Sequence, residues 1–298
     1  MALKSVFNAM KREGYIVKDL DLYLLSLNDE DNDRAINVNA PSQIGKCLRQ
    51  RYYARTGATR DSNAIDARTR RIFDNGTKTH ERLQQYLAEQ GMLLMDEIPV
   101  LNEYYNIQGH TDGLIAVSKV EKAILEIKSI NSNGFSQLKT AKDEHVQQGL
   151  SYVYCVEERR KYLHETYANL EEFEADKEHL MQTYAKYYQH LKDGRKFTRE
   201  EKIQFQCDLH FKMDCILMQT TVPITKVVFL YENKDNQELK EYCVSSKEAK
   251  SKDIMSEVLG DCAKLNDFVA KGKVPPRCST TKSCMECRFC AFAIECWN

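Results

Sequence analysis

The sequence has no apolar run approaching the ~18 to 20 residues that a membrane span needs, which excludes a helical membrane protein at the level of composition. Near its start, YIVKDLDLYLL is interrupted by Lys18, Asp19 and Asp21. That leaves no apolar core for a signal peptide, so a cytoplasmic protein is expected. The chain also lacks an excess of charge. Its 43 Lys and Arg against 44 Asp and Glu give a formal net charge of -1, so any nucleic-acid site has to come from local clustering rather than from the field of the whole surface. No internal repeat and no low-complexity tract occurs, and no Gly-x4-Gly-Lys-Ser/Thr loop, which excludes a P-loop motor.

Cysteine is the opposite case. Eleven cysteines in a chain without a secretory signal point to metal or cluster ligation rather than to a disulfide frame. At 298 residues, 42% hydrophobic and 29% charged, the composition is that of a soluble globular protein of one large or two modest domains.

The stretch GHTDGLIAVSKVEKAILEIKS reads as two strands, 109–117 and 123–130, around a polar connector. Successive side chains on a strand point to opposite faces, so Glu126 and Lys128 share a face about 7 Å apart. A hairpin partner brings Asp112 beside them. Two carboxylates and a lysine at the end of an apolar hairpin are costly to bury without a task. The chemical reading is a site for Mg²⁺ or Mn²⁺ on Asp112 and Glu126, with the backbone carbonyl of Ile127 as a third ligand. Lys128 would then orient water or offset charge on a phosphate. The alternative is a surface hairpin whose Glu126 and Lys128 form a solvated pair.

Around this hairpin the pattern is helical on both sides. Residues 1–28 read as a helix, followed by an acidic loop at 29–33, and Pro41-Ser42 opens a helix carrying Ile44, Cys47, Leu48, Tyr52 and Tyr53. Between Lys46 and Arg71 eight basic residues face only Asp61 and Asp66. Lys46, Arg49, Arg51 and Arg55 interleaved with Tyr52 suit a phosphate track with a stacking option, as against a solvated helix face. Lys271, Lys273, Arg277 and Lys282 are expected to extend the same DNA-facing surface. A helix at 72–91 carries His80, which taken alone reads as a surface or core histidine. Strands are expected at 92–100 and 104–109. In HVQQGLSYVYCVE, Gln148 and Tyr152 are four apart and leave one helix face together. Gly149 between them suggests close approach of another backbone or of a nucleic-acid strand. A charged helical segment fills 157–221, where Cys207, His210 and Cys215 read as core packing. Strands at 224–231 and 238–244 extend the sheet, and a helix at 247–271 ends at Pro275-Pro276.

The tail places Cys278, Cys284, Cys287, Cys290 and Cys296 close together, with spacing Cys287-x2-Cys290-x5-Cys296. Four thiolates are the usual requirement of a [4Fe–4S] cluster or an all-cysteine zinc site. The fourth ligand is either the local Cys284 or the distant Cys47.

The order Cys47, His80, Asp112, Glu126-x-Lys128, Gln148-x3-Tyr152, Cys287-x2-Cys290-x5-Cys296 resembles the iron–sulfur branch of the RecB-like nucleases in the PD-(D/E)XK superfamily. That branch includes CRISPR-associated RecB-like exonucleases, the AddB nuclease domain and phage relatives. Thr111 stands where the superfamily label has proline. The resemblance covers nearly the whole chain except 157–221, which is longer than the family typically carries. It implies one α/β nuclease domain over 1–298, with a mixed central sheet flanked by helices. Its parts are an N-terminal helical region (1–90), a catalytic core (91–156), a helical insertion (157–221), a sheet-extending hairpin (222–246) and a C-terminal helix with a cysteine-rich loop (247–298). It implies that His80 completes the metal shell, that Gln148 and Tyr152 contact the substrate backbone, and that Cys47 with Cys287, Cys290 and Cys296 holds a [4Fe–4S] cluster joining the two ends. The implied activity is metal-dependent hydrolysis of DNA, exonucleolytic on single strands or frayed ends. The setting would be phage recombination, replication or CRISPR adaptation, with a helicase, recombinase or CRISPR integrase as partner. The rival readings are a catalytically silent DNA-binding or assembly module and a structure-specific endonuclease.

Overall fold

In the computed structural model, which describes residues 15–26, 35–61 and 66–298, three strands run as an antiparallel meander. They are β1 (Leu93–Asn102), β2 (Ile107–Ala116) and β3 (Lys122–Ile130). β4 (Lys226–Asn233) lies parallel to β3, and β5 (Leu239–Ser245) returns antiparallel to β4. The sheet is therefore mixed, five-stranded and in sequence order. The first part of the helix expected at 1–28 and the acidic loop at 29–33 lie outside the described residues.

Helices precede and follow the meander. α1 (Tyr15–Ser26), α2 (Leu48–Arg55) and α3 (Ala67–Glu89) come first. The link from β3 to β4 holds α4 (Ser132–Gln137), α5 (Asp143–Thr166), α6 (Leu170–Ala175), α7 (Lys177–Tyr187) and α8 (Arg199–Met218). Two parallel neighbours cannot be joined by a tight turn and need such a crossover, so the helical segment is an enlarged crossover rather than an appendage. α9 (Ala249–Ala270), α10 (Met285–Arg288) and α11 (Ala293–Trp297) complete the chain. Among the described residues no helix is long and apolar enough to cross a membrane.

Strand alternation decides which layer each residue meets. On β3, Ile124 packs into the large core with Leu150 and Val153 of α5, while Ala123, Leu125 and Ile127 meet Leu83 of α3 on the other face. Glu126 and Lys128 follow Ile124 on the α5 face. α8 is held to α5 by an ion pair on a buried carboxylate: Arg159 Nη2 donates to Asp214 Oδ2 at 2.5 Å, and Arg159 and the Tyr184 hydroxyl both donate to this fully buried Asp214.

Four expectations are corrected. No separate strand occupies 104–109; β1 extends to Asn102, and a tight turn with Asn106 at φ +51° leads straight into β2. The helix expected from Pro41 is broken. A 3-10 turn covers Pro41–Gln43, Gly45 at φ +85° leaves the helical region, and α2 starts only at Leu48. No boundary falls at 157, because α5 runs unbroken to Thr166. Gly149 faces neither a backbone nor a ligand. A Cβ there would sit 2.6 Å from Phe229 Cζ and 2.9 Å from Val227 Cγ2, so glycine lets α5 lie against β4. Cys207 and His210 are buried, as core packing requires.

Gly149→Ala sets an overpacking cost of roughly 1–3 kcal/mol against a helix-propensity gain of about 1 kcal/mol. Because Phe229 is itself fully buried, the cost should win and the urea midpoint should fall. An unchanged or raised midpoint would show that the ring moves aside at little expense.

Candidate active site

The β2–β3 ladder ends with the pairs Leu114 with Ile124 and Gly113 with Leu125; beyond them the two strands part. Asp112 stands at the fork. Its Oδ2 accepts the Ile127 N–H at 2.6 Å, in place of a ladder bond. Its Oδ1 lies 3.0 Å from His80 Nδ1, and its backbone carbonyl accepts from Gln84 Nε2 at 2.7 Å. His80 and Gln84 are one turn apart on α3, which fixes that helix against the strand end.

From the other layer, Lys128 Nζ donates to Glu126 Oε1 at 2.6 Å and to Gln148 Oε1 at 3.0 Å. Gln148 in turn donates from Nε2 to the Tyr152 hydroxyl at 2.9 Å. The i, i+4 pair on α5 thus forms a buried support behind the lysine, with Tyr152 only 3% exposed. His80, Asp112, Glu126, Lys128, Gln148 and Tyr152 line one cleft of about 1080 Å³. Glu97 belongs to no sequence motif. It sits on β1 between the partners of Gly113 and Thr111, so it faces Asp112, and its φ of +46° departs from strand geometry. Only the register, once known, could single it out.

Charge in the site is tightly matched. Burial first, then the Asp112 charge, pushes the Glu126 carboxyl up to about 8, with Lys128 opposing. For His80 burial acts against the charged ring, but the Asp112 hydrogen bond and charge, with Glu126, outweigh it and raise the pKa. Two carboxylates, an imidazole and the Ile127 backbone are the donor types that Mg²⁺ or Mn²⁺ takes. Among the described residues no three His, Cys, Asp or Glu side chains are already arranged to hold a metal ion, and the cause is local. Asp112 is turned to His80 and Ile127, and Lys128 holds Glu126. A cation on this donor set would have to break the His80–Asp112 and Lys128–Glu126 contacts, with the His80 imidazole turning from Asp112 to the metal.

No family model matches the chain, and no curated protein does. Among solved structures, SSO0001 superposes with a TM-score of 0.47 at 14% identity, over 94% of this chain and 95% of that one. An alkaline exonuclease from Laribacter hongkongensis gives a TM-score of 0.40 at 12% identity, over 80% of this chain and 92% of its own. Likenesses this distant carry no conclusion about fold or activity.

The expected DNA track divides. Tyr52, Arg51 and Arg55 are buried. Arg51 donates to Asn39 Oδ1 at 3.1 Å, and Arg55 donates to Asn266 Oδ1 at 2.7 Å and Asn37 Oδ1 at 2.8 Å. These arginines tie the segment before Pro41 to α9, and neither has a guanidinium to offer a phosphate. Lys46 stays exposed, and Arg49 is half-buried with Nε on the Tyr53 hydroxyl at 3.2 Å. Of the C-terminal basic group, Lys271 pairs with Asp267, and Arg277 donates to the Cys296 carbonyl with its guanidinium 4.5 Å from the centre of the Trp297 ring.

Cys47, Cys287, Cys290 and Cys296 line a second, smaller cavity, joined there by Cys278 but not by Cys284. All eleven cysteines are free. Burial and the Cys47 contact push the Cys278 thiol up to about 12. Trp297 Nε1 is buried without a hydrogen-bond partner and lies beside Cys287. An orphaned indole N–H facing a group of thiols suits a centre whose sulfurs accept hydrogen bonds.

Glu126 and His80 both hold protons more tightly in the folded chain. Each contributes stability at low pH that is lost on going up, Glu126 between its ordinary 4.5 and about 8, and His80 upward from 6.5. A divalent cation competes with those protons, so Mn²⁺ should bind more tightly at about pH 8 than at about pH 6. Calorimetric titration checks this. Equal affinities would remove Glu126 and His80 from the metal's site, and in Glu126→Gln the pH slope should flatten.

Proposed function

We propose that this chain is a divalent-metal-dependent nuclease that hydrolyses phosphodiester bonds of DNA, acting on single strands or strand ends. One observation carries the reading. His80, Asp112, Glu126 and Lys128 meet at the fork of two strands, with Gln148 and Tyr152 behind the lysine. A bound cation would supply Lewis acidity to a phosphoryl oxygen and lower the pKa of water. Asp112 and Glu126 would hold it, with His80 completing the set. Released from Glu126, the Lys128 ammonium would face the scissile phosphate and offset the charge that builds on it. Gln148 keeps that ammonium in place, and Tyr152 keeps Gln148 in place. A binding module that had lost turnover needs neither both carboxylates nor the lysine, and all are here.

The test is cleavage of single-stranded DNA labelled separately at each end, with Mg²⁺ or Mn²⁺. Asp112→Ala and Glu126→Ala should abolish it. Lys128→Ala should keep metal affinity and lower kcat by about 10²- to 10⁴-fold, and Gln148→Ala should lower it by up to about 10²-fold through misplacement of the lysine. Wild-type rates in Lys128→Ala would break the mechanism. No cleavage of any nucleic acid by the intact protein would leave the binding-module reading, and internal cuts would make it an endonuclease.

For the second centre we propose a [4Fe–4S] cluster on Cys47, Cys287, Cys290 and Cys296. The reading is supported by their shared cavity and by the unpartnered Trp297 N–H. Closing a loop between points so distant in sequence would stabilise the fold by about 5 kcal/mol if the disulfide estimate transfers. Protein purified without oxygen should be brown and contain iron. Cys47→Ser should lose both the colour and much of the stability, while Cys284→Ser keeps them. Stoichiometric zinc without visible absorption would overturn the assignment.

A further inference from the structure

The wall of the cleft that faces His80 and Lys128 is built by the enlarged crossover. It consists of the loop at 189–198 and the first two turns of α8. Two large apolar rings on this wall, Phe197 and Phe205, are 58% and 61% exposed, and both line the cleft. Single exposed apolar residues are normal. Two phenyl rings turned into the same cleft as a carboxylate–lysine site are not.

Neither ring has been left there by a loose segment. Thr198 caps α8, with its hydroxyl and the Glu201 side chain bonded reciprocally to backbone N–H groups. In such a cap the residue before the N-cap commonly packs on an apolar residue at the fourth helical position. Here that fourth position is Lys202, whose Nζ instead reaches the Lys192 carbonyl at 2.9 Å. Phe197 is therefore not used as a staple. Gly194 N–H bonds to the Phe197 carbonyl at 3.0 Å, and Arg199 holds the Leu191 and Gln189 carbonyls, so the loop carrying Phe197 is knitted to the helix. Phe205 lies four residues after Glu201 on the cleft-facing side of α8. Next to it, Gln206 Oε1 lies 2.8 Å from His110 Nε2. His110 is two residues before Asp112 on β2, so the wall is fixed directly to the strand that bears the proposed metal ligand.

The same loop carries Lys192, Arg195 and Lys196, all exposed, against the single Asp193. Exposed rings lining a cleft, with cations on the same loop, are what an unpaired strand requires, because its bases have free faces to stack and its phosphates need counter-charge. A duplex offers only the phosphates, since its bases are already stacked on each other. From this geometry we propose that Phe197 and Phe205 form a base-stacking wall that seats unpaired DNA against the fork of β2 and β3 and selects single strands over duplex. The proposal rests on the nuclease reading of that fork.

The test uses the full chain with Ca²⁺ in place of Mg²⁺ to suppress turnover. It follows the fluorescence anisotropy of a labelled single-stranded deoxyoligonucleotide and of the same sequence as duplex. Phe197→Ala and Phe205→Ala should each weaken single-strand binding about 5- to 100-fold, the range of one lost base–aromatic stack, with little change for duplex. Phe205→Tyr should restore binding and Phe205→Leu should not, which separates a stacked ring from mere apolar volume. Thermal unfolding checks that each variant is folded. With Mg²⁺ the alanine variants should raise KM more than they lower kcat. If they bind and cleave single strands as the parent does, or lose duplex binding equally, the wall is not a stacking platform even though the parent remains a nuclease. If the parent neither binds nor cleaves nucleic acid, the nuclease reading fails and takes the wall with it.

Discussion

The bond between Asp112 Oδ2 and the Ile127 N–H, at 2.6 Å, is the constraint on which the site depends. Where β2 and β3 separate, a backbone donor in the middle of the sheet would otherwise be left without its ladder acceptor, and an unpaired buried N–H is costly. A side-chain carboxylate supplies that acceptor. In doing so it locks Asp112 one residue from Glu126 on the opposite strand and presents its second oxygen to His80. The fork is thus both a defect in the ladder and the place where the charges collect.

That collection is balanced rather than relaxed. Glu126 is nearly fully buried next to another carboxylate, a setting that favours its protonated form, and only Lys128 and His80 counter this. The lysine is kept at hand by Gln148 and Tyr152, which are themselves fixed because α5 lies against β4 at Gly149. Position in the site therefore descends from a packing decision made by a glycine on the far side of the helix from solvent.

The enlarged crossover has a comparable double use. Its interior is organised by the buried Asp214, shared between Arg159 and Tyr184, and such a pair is costly to break on one side. This anchors α8 to α5, and the first turns of α8 with the preceding loop line the cleft beside the fork. The basic residues of α2 have a different use from the one their sequence suggests. Arg51 and Arg55 bind amide oxygens of Asn37, Asn39 and Asn266 inside the protein, where they secure the segment before Pro41, whose Val38 and Ala40 also line the cleft.

The sequence by itself determined the strands on either side of Ser118, the shared face of Glu126 and Lys128, the shared face of Gln148 and Tyr152, and the density of thiols at the C-terminus. Each follows from a short period or a local spacing. What it could not decide was contact between residues far apart in the chain. The sequence pattern placed Arg51 and Arg55 beside Arg49 as one cationic face, yet burial separated them, because α9 packs on α2 and no local rule describes that. Glu97 opposite Asp112 depends on strand register. The place of Phe197 and Phe205 depends on how a long crossover folds back over the sheet. Local periodicity fixes which way a side chain leaves its own element; only the packing of elements, through burial and long-range hydrogen bonds, decides what it meets there.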